Sequence, residues 1–154
     1  MRSTSSKSSR SARAKRVGLV VSLGLILTLV FSACRPTADE QQAIDLLNAS
    51  RMWSGIGSLT VDDSLQTKAN RHAREMASGQ SLFHSSLAAG VRGGWESLGE
   101  NVGVGPTLDS VNVQFDNSPN HRDRRVSDQW NAVGVGVARD AEGRYWVVEE
   151  FGRF

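Results

Sequence analysis

After residue 37, the chain begins with two segments in which apolar residues recur every three to four positions, the spacing of an amphipathic helix. The first segment opens with Asp39 and Glu40, which suit the positive end of a helix dipole, and it ends before Gly55. The second segment is announced by Asp62, and Gly79 is the predicted cap at its carboxyl end. We therefore predict two helices between these signals.

The middle of the chain carries weaker signals. Residues 79–98 are rich in glycine and serine and predict an irregular segment. A third helix is predicted over residues 107–115, and Ser118-Pro119 closes it because the residue before a proline avoids helical geometry. Residues 120–126 predict one more helical turn.

The hydrophobic period changes to two near the carboxyl end. Val133, Val135 and Val137 alternate with small residues, and a second alternating run over residues 145–150 follows a turn at 140–143. This pattern predicts a β-hairpin, and residues 100–105 are a candidate third strand. Helices followed by a hairpin indicate an α+β fold in which helices cover antiparallel strands.

The first 33 residues have the three-part pattern of a secretory signal. Residues 1–16 carry six basic residues and no acidic one, residues 17–31 form an uncharged run of 15, and small residues follow. A helix needs about 20 residues to cross a ~30 Å hydrocarbon core. We therefore predict a cleaved signal over residues 1–33 and an exported protein. The alternative is a short anchor that stays uncut.

Cys34 is the single cysteine, and it follows Phe31-Ser32-Ala33. Small residues before a cysteine at the end of an apolar run resemble a bacterial lipobox, although Phe31 stands where an aliphatic residue is usual. Acylation of Cys34 would hold the protein at a membrane, since each buried CH₂ contributes about 0.8 kcal/mol. The alternative is ordinary cleavage and release.

The residues after the leader are expected to form a linker, 34–37, and one domain, 38–154. A domain of 117 residues can bury a core without disulfides. The whole chain has a formal charge of +2, but six of its 18 basic residues and none of its 16 acidic ones precede Cys34. The remainder therefore carries 12 basic and 16 acidic residues, a charge of −4. A nucleic-acid binder is expected to show a basic patch, so we predict no nucleic-acid partner.

Three histidines could carry chemistry. His72 lies on the apolar face of the second helix, where a packed core residue is expected. His84 and His121 lie in separate loops, with Glu100 between them in the sequence. Two imidazoles and a carboxylate that converge could hold a divalent metal such as zinc. Spacing alone leaves that convergence open.

Short motifs occur in a fixed order along the chain. They are Phe83-His84-Ser85, Gly99-Glu100-Asn101-Val102-Gly103, Ser118-Pro119-Asn120-His121-Arg122, Val133-Gly134-Val135-Gly136-Val137-Ala138, Tyr145-Trp146-Val147-Val148 and Phe151-Gly152. In this order they resemble the CAP superfamily of cysteine-rich secretory, antigen-five and pathogenesis-related proteins, in particular its short bacterial SCP-like branch without disulfides. The resemblance covers about residues 43–152. It implies a three-layer α-β-α sandwich with a central antiparallel sheet.

The resemblance also implies a central cavity lined by histidines and acidic residues, which in family members can hold zinc. Carried over, the cavity residues are His84, Glu100 and His121, with His84 and His121 as metal ligands and Ser118 as a weaker cavity candidate. Glu100 could fix the tautomer of a ligand histidine or act as a catalytic base on metal-bound water. The alternative is that Glu100 and Asn101 only bond to backbone in a tight loop.

Three positions depart from the family pattern. Arg124 stands where asparagine is usual and Asn120 where glycine is usual, so both bear on how His121 is aimed. Glu149 or Glu150 takes the place of a frequent glutamine in the last strand. We expect this extra carboxylate to be solvated near the sheet edge.

Three functions follow as hypotheses. The first is an extracellular or cell-surface binding module for a lipid or envelope partner, with a candidate divalent-metal site. The second is a metal-dependent hydrolase that uses His84, His121 and Glu100, and the third is an envelope interaction or stress protein with a vestigial cavity. The chain offers no obvious nucleophile beyond ordinary serines, which favours a non-enzymatic role. We expect a monomer that reaches the membrane through Cys34 if that residue is acylated.

Overall fold

The computed structural model describes residues 35–154, so the predicted signal over residues 1–33 and Cys34 lie outside the described residues. The described part contains helices α1 (Ala38–Trp53), α2 (Asp63–Gly79), α3 (Leu108–Asn117) and α4 (Pro119–Arg125), and strands β1 (Thr60–Val61), β2 (Ser97–Gly105), β3 (Ala132–Arg139) and β4 (Tyr145–Arg153). Of these helices, none is long and apolar enough to span a membrane.

Side-chain caps fix where the helices begin. Thr37 caps α1 in a capping box with Glu40, and Asp62 accepts hydrogen bonds from the first backbone N–H groups of α2. The predicted cap at Gly79 is wrong, because Gly79 is the last residue of α2 and Gln80 adopts the left-handed conformation with φ 48°. The Gln80 side chain compensates by donating to the carbonyl of Ala77 at 2.8 Å.

The strands form one sheet in the order β1-β3-β4-β2. The predicted β3–β4 hairpin is antiparallel, and β2 pairs with β4 antiparallel over its whole length. The short strand β1 adds a parallel edge beside β3, which sequence periodicity did not indicate. Helix α2 packs on β3 and β4, while α1, α3 and α4 pack on the other face. The fold is therefore the expected α+β sandwich of three layers.

Glycines in β3 let α2 lie directly against the sheet. A Cβ atom at Gly134 would lie 2.2 Å from the backbone nitrogen of Gln66, and one at Gly136 would lie 2.1 Å from the carbonyl oxygen of Ala69. The alternating valines point to the other face, where Val133 and Val135 are fully buried against α1 and α3. The valines of β3 thus build the hydrophobic core on one face of the sheet, and its glycines allow the close approach of α2 on the other face.

Strand β4 carries two adjacent glutamates, and the expectation that this carboxylate is solvated at the sheet edge is wrong. Strand β4 lies between β3 and β2, and Glu149 and Glu150 are only 2% and 1% exposed. Successive side chains of a strand point to opposite faces. Glu150 faces α2 and forms an ion pair with Lys68, while Glu149 Oε1 lies 3.2 Å from Nε of Arg125 on α4. The two pairs tie β4 to both helical layers.

Burial changes the acidity of both carboxyl groups. Burial raises the pKa of Glu149 above its usual range, although the charge of Arg125 opposes this shift. Burial also raises the pKa of Glu150 to about 8, against the lowering effect of Lys68. Glu100 is the cross-strand partner of Glu150 and raises the pKa of Glu150 further. The carboxylates of Glu100 and Glu150 thus lie side by side beneath α2.

Gly136→Ala should destabilise the protein because its new methyl group would collide with the backbone of α2. We expect the free energy of unfolding, measured by urea denaturation, to fall by about 3 kcal/mol. Gly57→Ala is the matched control, since a Cβ at Gly57 meets no atom within 4 Å. Equal effects of the two substitutions would contradict the close packing of α2 on β3.

Glu150 should make stability fall as the pH rises. Its carboxyl has a higher pKa in the folded state, about 8, than its ordinary value of 4.5. Its stabilising contribution is therefore complete below about pH 4.5 and is lost as the pH rises towards 8. We expect the free energy of unfolding of the wild type to decline relative to that of Glu150→Gln over this range, as measured by urea denaturation in a series of buffers.

Glu142→Gln is the control for this pH series, because the Glu142 side chain is 63% exposed. The difference in free energy of unfolding between Glu142→Gln and the wild type should stay constant over the same pH range. A constant difference between the wild type and Glu150→Gln would show instead that Glu150 ionises as readily in the folded chain as in the unfolded chain.

Candidate functional site

Two neighbouring cavities share residues and form one cleft along β2, an edge strand of the sheet. The first, of about 450 Å³, is lined by His84, Asn120, His121, Asp123, Arg124, Ser127, Gln129 and Trp130. The second, of about 630 Å³, shares His84, Arg124, Gln129 and Trp130 and reaches Gly99 and Glu100 of β2. Side chains from both faces can meet at an edge strand. The structure thereby brings His84 and His121 to the same cleft.

His84 is held by Glu100 at the floor of this cleft. The Nδ1 atom of His84 lies 2.7 Å from Oε1 of Glu100. An ionised carboxylate can only accept, so Nδ1 donates the proton and a neutral ring keeps its lone pair on Nε2. The His84 side chain is 62% exposed, whereas that of Glu100 is 1% exposed. One ring nitrogen is thus anchored in the interior and the other is accessible from the cleft.

Ser85 and Glu150 supply the remaining hydrogen bonds of Glu100. Its Oε1 also accepts from the backbone N–H of Ser85 at 2.9 Å, and its Oε2 accepts from Ser85 Oγ at 2.5 Å. Burial raises the pKa of Glu100, but the hydrogen bonds from Ser85, Glu150 and His84 outweigh burial and lower this pKa to about 2. A general base works best with a pKa near the working pH, so these contacts favour orientation of His84 over proton abstraction.

Lys68 connects the cleft to the buried carboxylates, a role that the sequence analysis did not predict. Its Nζ donates to Ser85 Oγ at 2.5 Å, pairs with Glu150 and lies 3.7 Å from Oε2 of Glu100. Lysine is almost never fully buried unless it is paired, so a lysine in an amphipathic helix is ordinarily assigned to the solvated face. The sequence did hold one signal of this burial: Lys68 lies one helical turn before His72, on the inner side of α2.

His121 is positioned by α4 and by the layer beneath it. Its ring packs edge-on against Phe115 with 5.1 Å between ring centroids, and its carbonyl accepts from Asn101 Nδ2 at 3.2 Å. Arg125 follows one turn later and donates to Asp116 Oδ1 at 2.5 Å. Burial, followed by the charges of Arg124 and His84, lowers the pKa of His121, which favours the neutral imidazole.

Arg124 lies beside His121 in the wall of the cleft, and the buried Asn101 lies behind both. Nη1 of Arg124 donates to Oδ1 of Asn101 at 2.6 Å, and Asn101 Nδ2 also donates to Glu149 Oε2 at 3.0 Å. The carbonyl of Arg124 accepts from the indole N–H of Trp130 at 2.9 Å. Arg124, which stands where the family pattern has asparagine, is therefore part of the cleft.

Ser118 and His72 lie elsewhere. Ser118 joins α3 to α4, where its N–H donates to the carbonyl of Gln114 at 3.1 Å, and it is not among the residues that line the cleft. His72 is 2% exposed and its Nε2 lies 2.8 Å from the carbonyl oxygen of Phe83, in agreement with the expected core role. Helix α4 thus presents His121 to the cleft, whereas Ser118, at the start of the helix, does not line it.

The predicted zinc fits this site only in part. His84 and His121 supply imidazole nitrogens, and the bond to Glu100 leaves Nε2 of His84 free to coordinate. Among residues 35–154, however, no three histidine, cysteine, aspartate or glutamate side chains are grouped to hold a metal ion. Zinc sites in proteins take three or four such ligands, and Arg124 adds a positive charge to the cleft. The residues present therefore do not fit a three-ligand zinc centre, and zinc binding stays a prediction.

Comparison with protein families matches residues 44–151 to the CAP family, described as the cysteine-rich secretory protein family. The uncharacterized protein YkwD of Bacillus subtilis (strain 168) is 25% identical over 126 residues, which cover 76% of this chain and 48% of YkwD. Pathogenesis-related protein 1A of Nicotiana tabacum is 31% identical over 85 residues, which cover 55% of this chain and 48% of that protein. The chain thus spans about half the length of these relatives.

Solved structures agree with the three-layer fold. An outer surface protein from Borrelia burgdorferi has a TM-score of 0.65 and 18% identity, with 75% of this chain and 92% of that chain covered. An extracellular protein with an SCP domain from Bacillus anthracis has a TM-score of 0.61 and 25% identity, with 75% and 40% covered. Since the family model matches more than half of the sequence, the chain belongs to the CAP, or cysteine-rich secretory protein, family.

Proposed function

We propose that the protein is exported and works outside the cytoplasm as a binding module of the cell envelope, which holds a polar ligand in the cleft between His84 and His121. The observation that carries this proposal is the composition of the cleft walls. Apart from Trp130, the residues around its outer part are polar or charged, and several offer side-chain donors to a ligand. A concave site with a few converging polar groups is the usual form of a ligand pocket.

Two observations support export. The first 33 residues have the basic, apolar and small-residue order of a secretory signal. The similar Borrelia burgdorferi protein is described as an outer surface protein, and the similar Bacillus anthracis protein as extracellular. Acylation of Cys34 and attachment to a membrane stay predictions.

The walls of the cleft favour a polar envelope component over a lipid chain. A site for a lipid tail needs a continuous apolar surface, because each polar group left without a partner by the tail loses its hydrogen bonds to water. His121, Arg124 and Gln129 would all lose such bonds beside an acyl chain. A ligand rich in hydroxyl, amide or charged groups would instead offer these side chains hydrogen-bond partners in place of solvent.

A metal-dependent hydrolase is the second candidate, and the 2.7 Å contact between His84 and Glu100 is the observation that favours it. A carboxylate that orients a histidine is a common partner of a metal ligand. His84 and His121 would hold the metal, and Glu100 would orient His84 while the Ser85 hydrogen bonds keep it ionised.

Binding through the cleft should be lost when His121 is removed. We expect the purified protein to sediment with isolated cell-envelope fragments, and we expect His121→Ala to weaken this binding by roughly tenfold, since it deletes a ligand-facing polar group. Trp53→Ala is the control, because Trp53 is 85% exposed and does not line the cleft. Circular dichroism of each variant confirms that it is folded.

The opposite pattern would overturn the proposal. If Trp53→Ala abolished sedimentation while His121→Ala bound like the wild type, binding would depend on exposed apolar surface outside the cleft. If the wild type failed to sediment with any envelope fraction, a binding role at the envelope would be wrong.

A further inference from the structure

Arg124 holds a central position in the cleft. It lines both cavities, and the aliphatic part of its side chain packs beneath Gly99 of β2, where an added Cβ would lie 3.0 Å from Arg124 Cδ. The missing side chain at Gly99 therefore makes room for the arginine. Trp130 approaches the same Cβ position, at 3.1 Å. The side chains of Arg124 and Trp130 thus share the space that the missing side chain of Gly99 leaves open.

Unlike its neighbour Arg125, Arg124 forms no direct ion pair among residues 35–154, although its charge opposes the rise that burial causes in the pKa of Glu149. Arg125 forms ion pairs with Asp116 and Glu149. Within residues 35–154, Arg124 pairs with no carboxylate, and its one side-chain hydrogen bond goes to the neutral amide oxygen of Asn101. A guanidinium carries five N–H donors, so most of those on Arg124 stay available to the cleft.

The acidic groups of the cleft do not compensate this charge. Both oxygens of Glu100 are occupied by hydrogen bonds from His84 and Ser85, and Lys68 lies 3.7 Å away. Asp123 is exposed and lines only the outer, 450 Å³ cavity. Exposed carboxylates are well hydrated and interact weakly with charges that they do not touch. The inner part of the cleft therefore presents one half-buried guanidinium with spare donors.

We propose that Arg124 is the recognition residue of the cleft and that the ligand it selects carries an oxyanion, a carboxylate or a phosphate, which accepts the free N–H groups of the guanidinium. Arginine is well suited to this task because its planar fork can bind two oxygens of such a group at once. The neighbouring side chains of His84, Gln129 and Asn120 would contact the rest of the ligand. This inference rests on the proposed envelope-binding function and specifies the chemistry of its ligand.

The oxyanion could belong to a soluble or wall-bound group or to a lipid headgroup, and separate probes distinguish these sources. The wild type is titrated with acetate and with inorganic phosphate, while NMR follows the side-chain N–H signals of Arg124 and the indole N–H of Trp130. In a parallel arm, the protein is mixed with vesicles of phosphatidylglycerol in phosphatidylcholine, and with phosphatidylcholine alone. Binding in the first arm identifies a free group, and binding only in the second identifies a headgroup.

Arg124→Gln should weaken saturable binding of the oxyanion by roughly tenfold or more, because it removes the charged donors. Arg122→Gln is the matched control, since Arg122 lies on the same helix, is exposed and does not line the cleft. Arg124→Lys keeps the charge and should retain part of the affinity, which separates loss of charge from loss of fold. Near-ultraviolet circular dichroism reports the packing of Trp130 in each variant.

Two results would overturn the inference. One is the absence of saturable binding to acetate, phosphate and anionic vesicles alike, and the other is equal binding by the wild type and Arg124→Gln. The proposed function is tested separately. If Arg124→Gln still sediments with envelope fragments while His121→Ala does not, the binding function stands and the oxyanion inference fails.

Discussion

Strand β4 brings two adjacent carboxyl groups into the interior on opposite faces of the sheet, and the placement of both helical layers depends on how these groups are satisfied. Burial raises the pKa of both, and a buried carboxylate without a partner is destabilising by several kcal/mol, so each group needs a cationic partner at a fixed position when it ionises. Lys68 of α2 meets Glu150 on one face, and Arg125 of α4 lies beside Glu149 on the other. The glycines of β3 allow α2 to come close enough for the first of these pairs.

The cationic partners of Glu149 and Glu150 also contact the residues that position the two histidines of the cleft. On the α2 face, Lys68 donates to Ser85, and Ser85 donates to the carboxylate that holds His84. On the other face, the buried Arg125 fixes α4 one turn after His121. The histidines come from loops and helices far apart in the sequence, but they meet because β2 is an edge strand. Glu100 contacts Nδ1 of His84, and this contact leaves Nε2 of His84 accessible from the cleft.

Much of this arrangement could be predicted from the sequence, because its signals are local. Periodicity located α1, α2, α3 and the β3–β4 hairpin, and capping residues such as Asp62 placed helix starts closely. The ordered motifs pointed to His84, Glu100 and His121. His84 lines both neighbouring cavities of the cleft, His121 lines the outer one and Glu100 the inner one.

The remaining features depend on tertiary partners, which no local pattern reveals. Charged residues read as solvated from sequence alone, so the burial of Lys68, Glu149 and Glu150 was missed. Each becomes tolerable only when a residue distant in the chain supplies the opposite charge. Gln80, and not Gly79, adopts the left-handed conformation, and its side chain forms hydrogen bonds with the carbonyl of Ala77 and with Arg144. Ser118 was placed by resemblance, but the α3–α4 junction keeps it away from the cleft.

The most direct test of this account is the tautomer of His84, measured by NMR from the ring nitrogen shifts of protein labelled with ¹⁵N-histidine. At a pH at which the ring is neutral, the hydrogen bond to Glu100 predicts a protonated Nδ1 and an unprotonated Nε2. That result would show that the buried carboxylate network orients the cleft histidine. A neutral His84 protonated on Nε2 would contradict it, because Nδ1 would then have no proton to donate to Glu100.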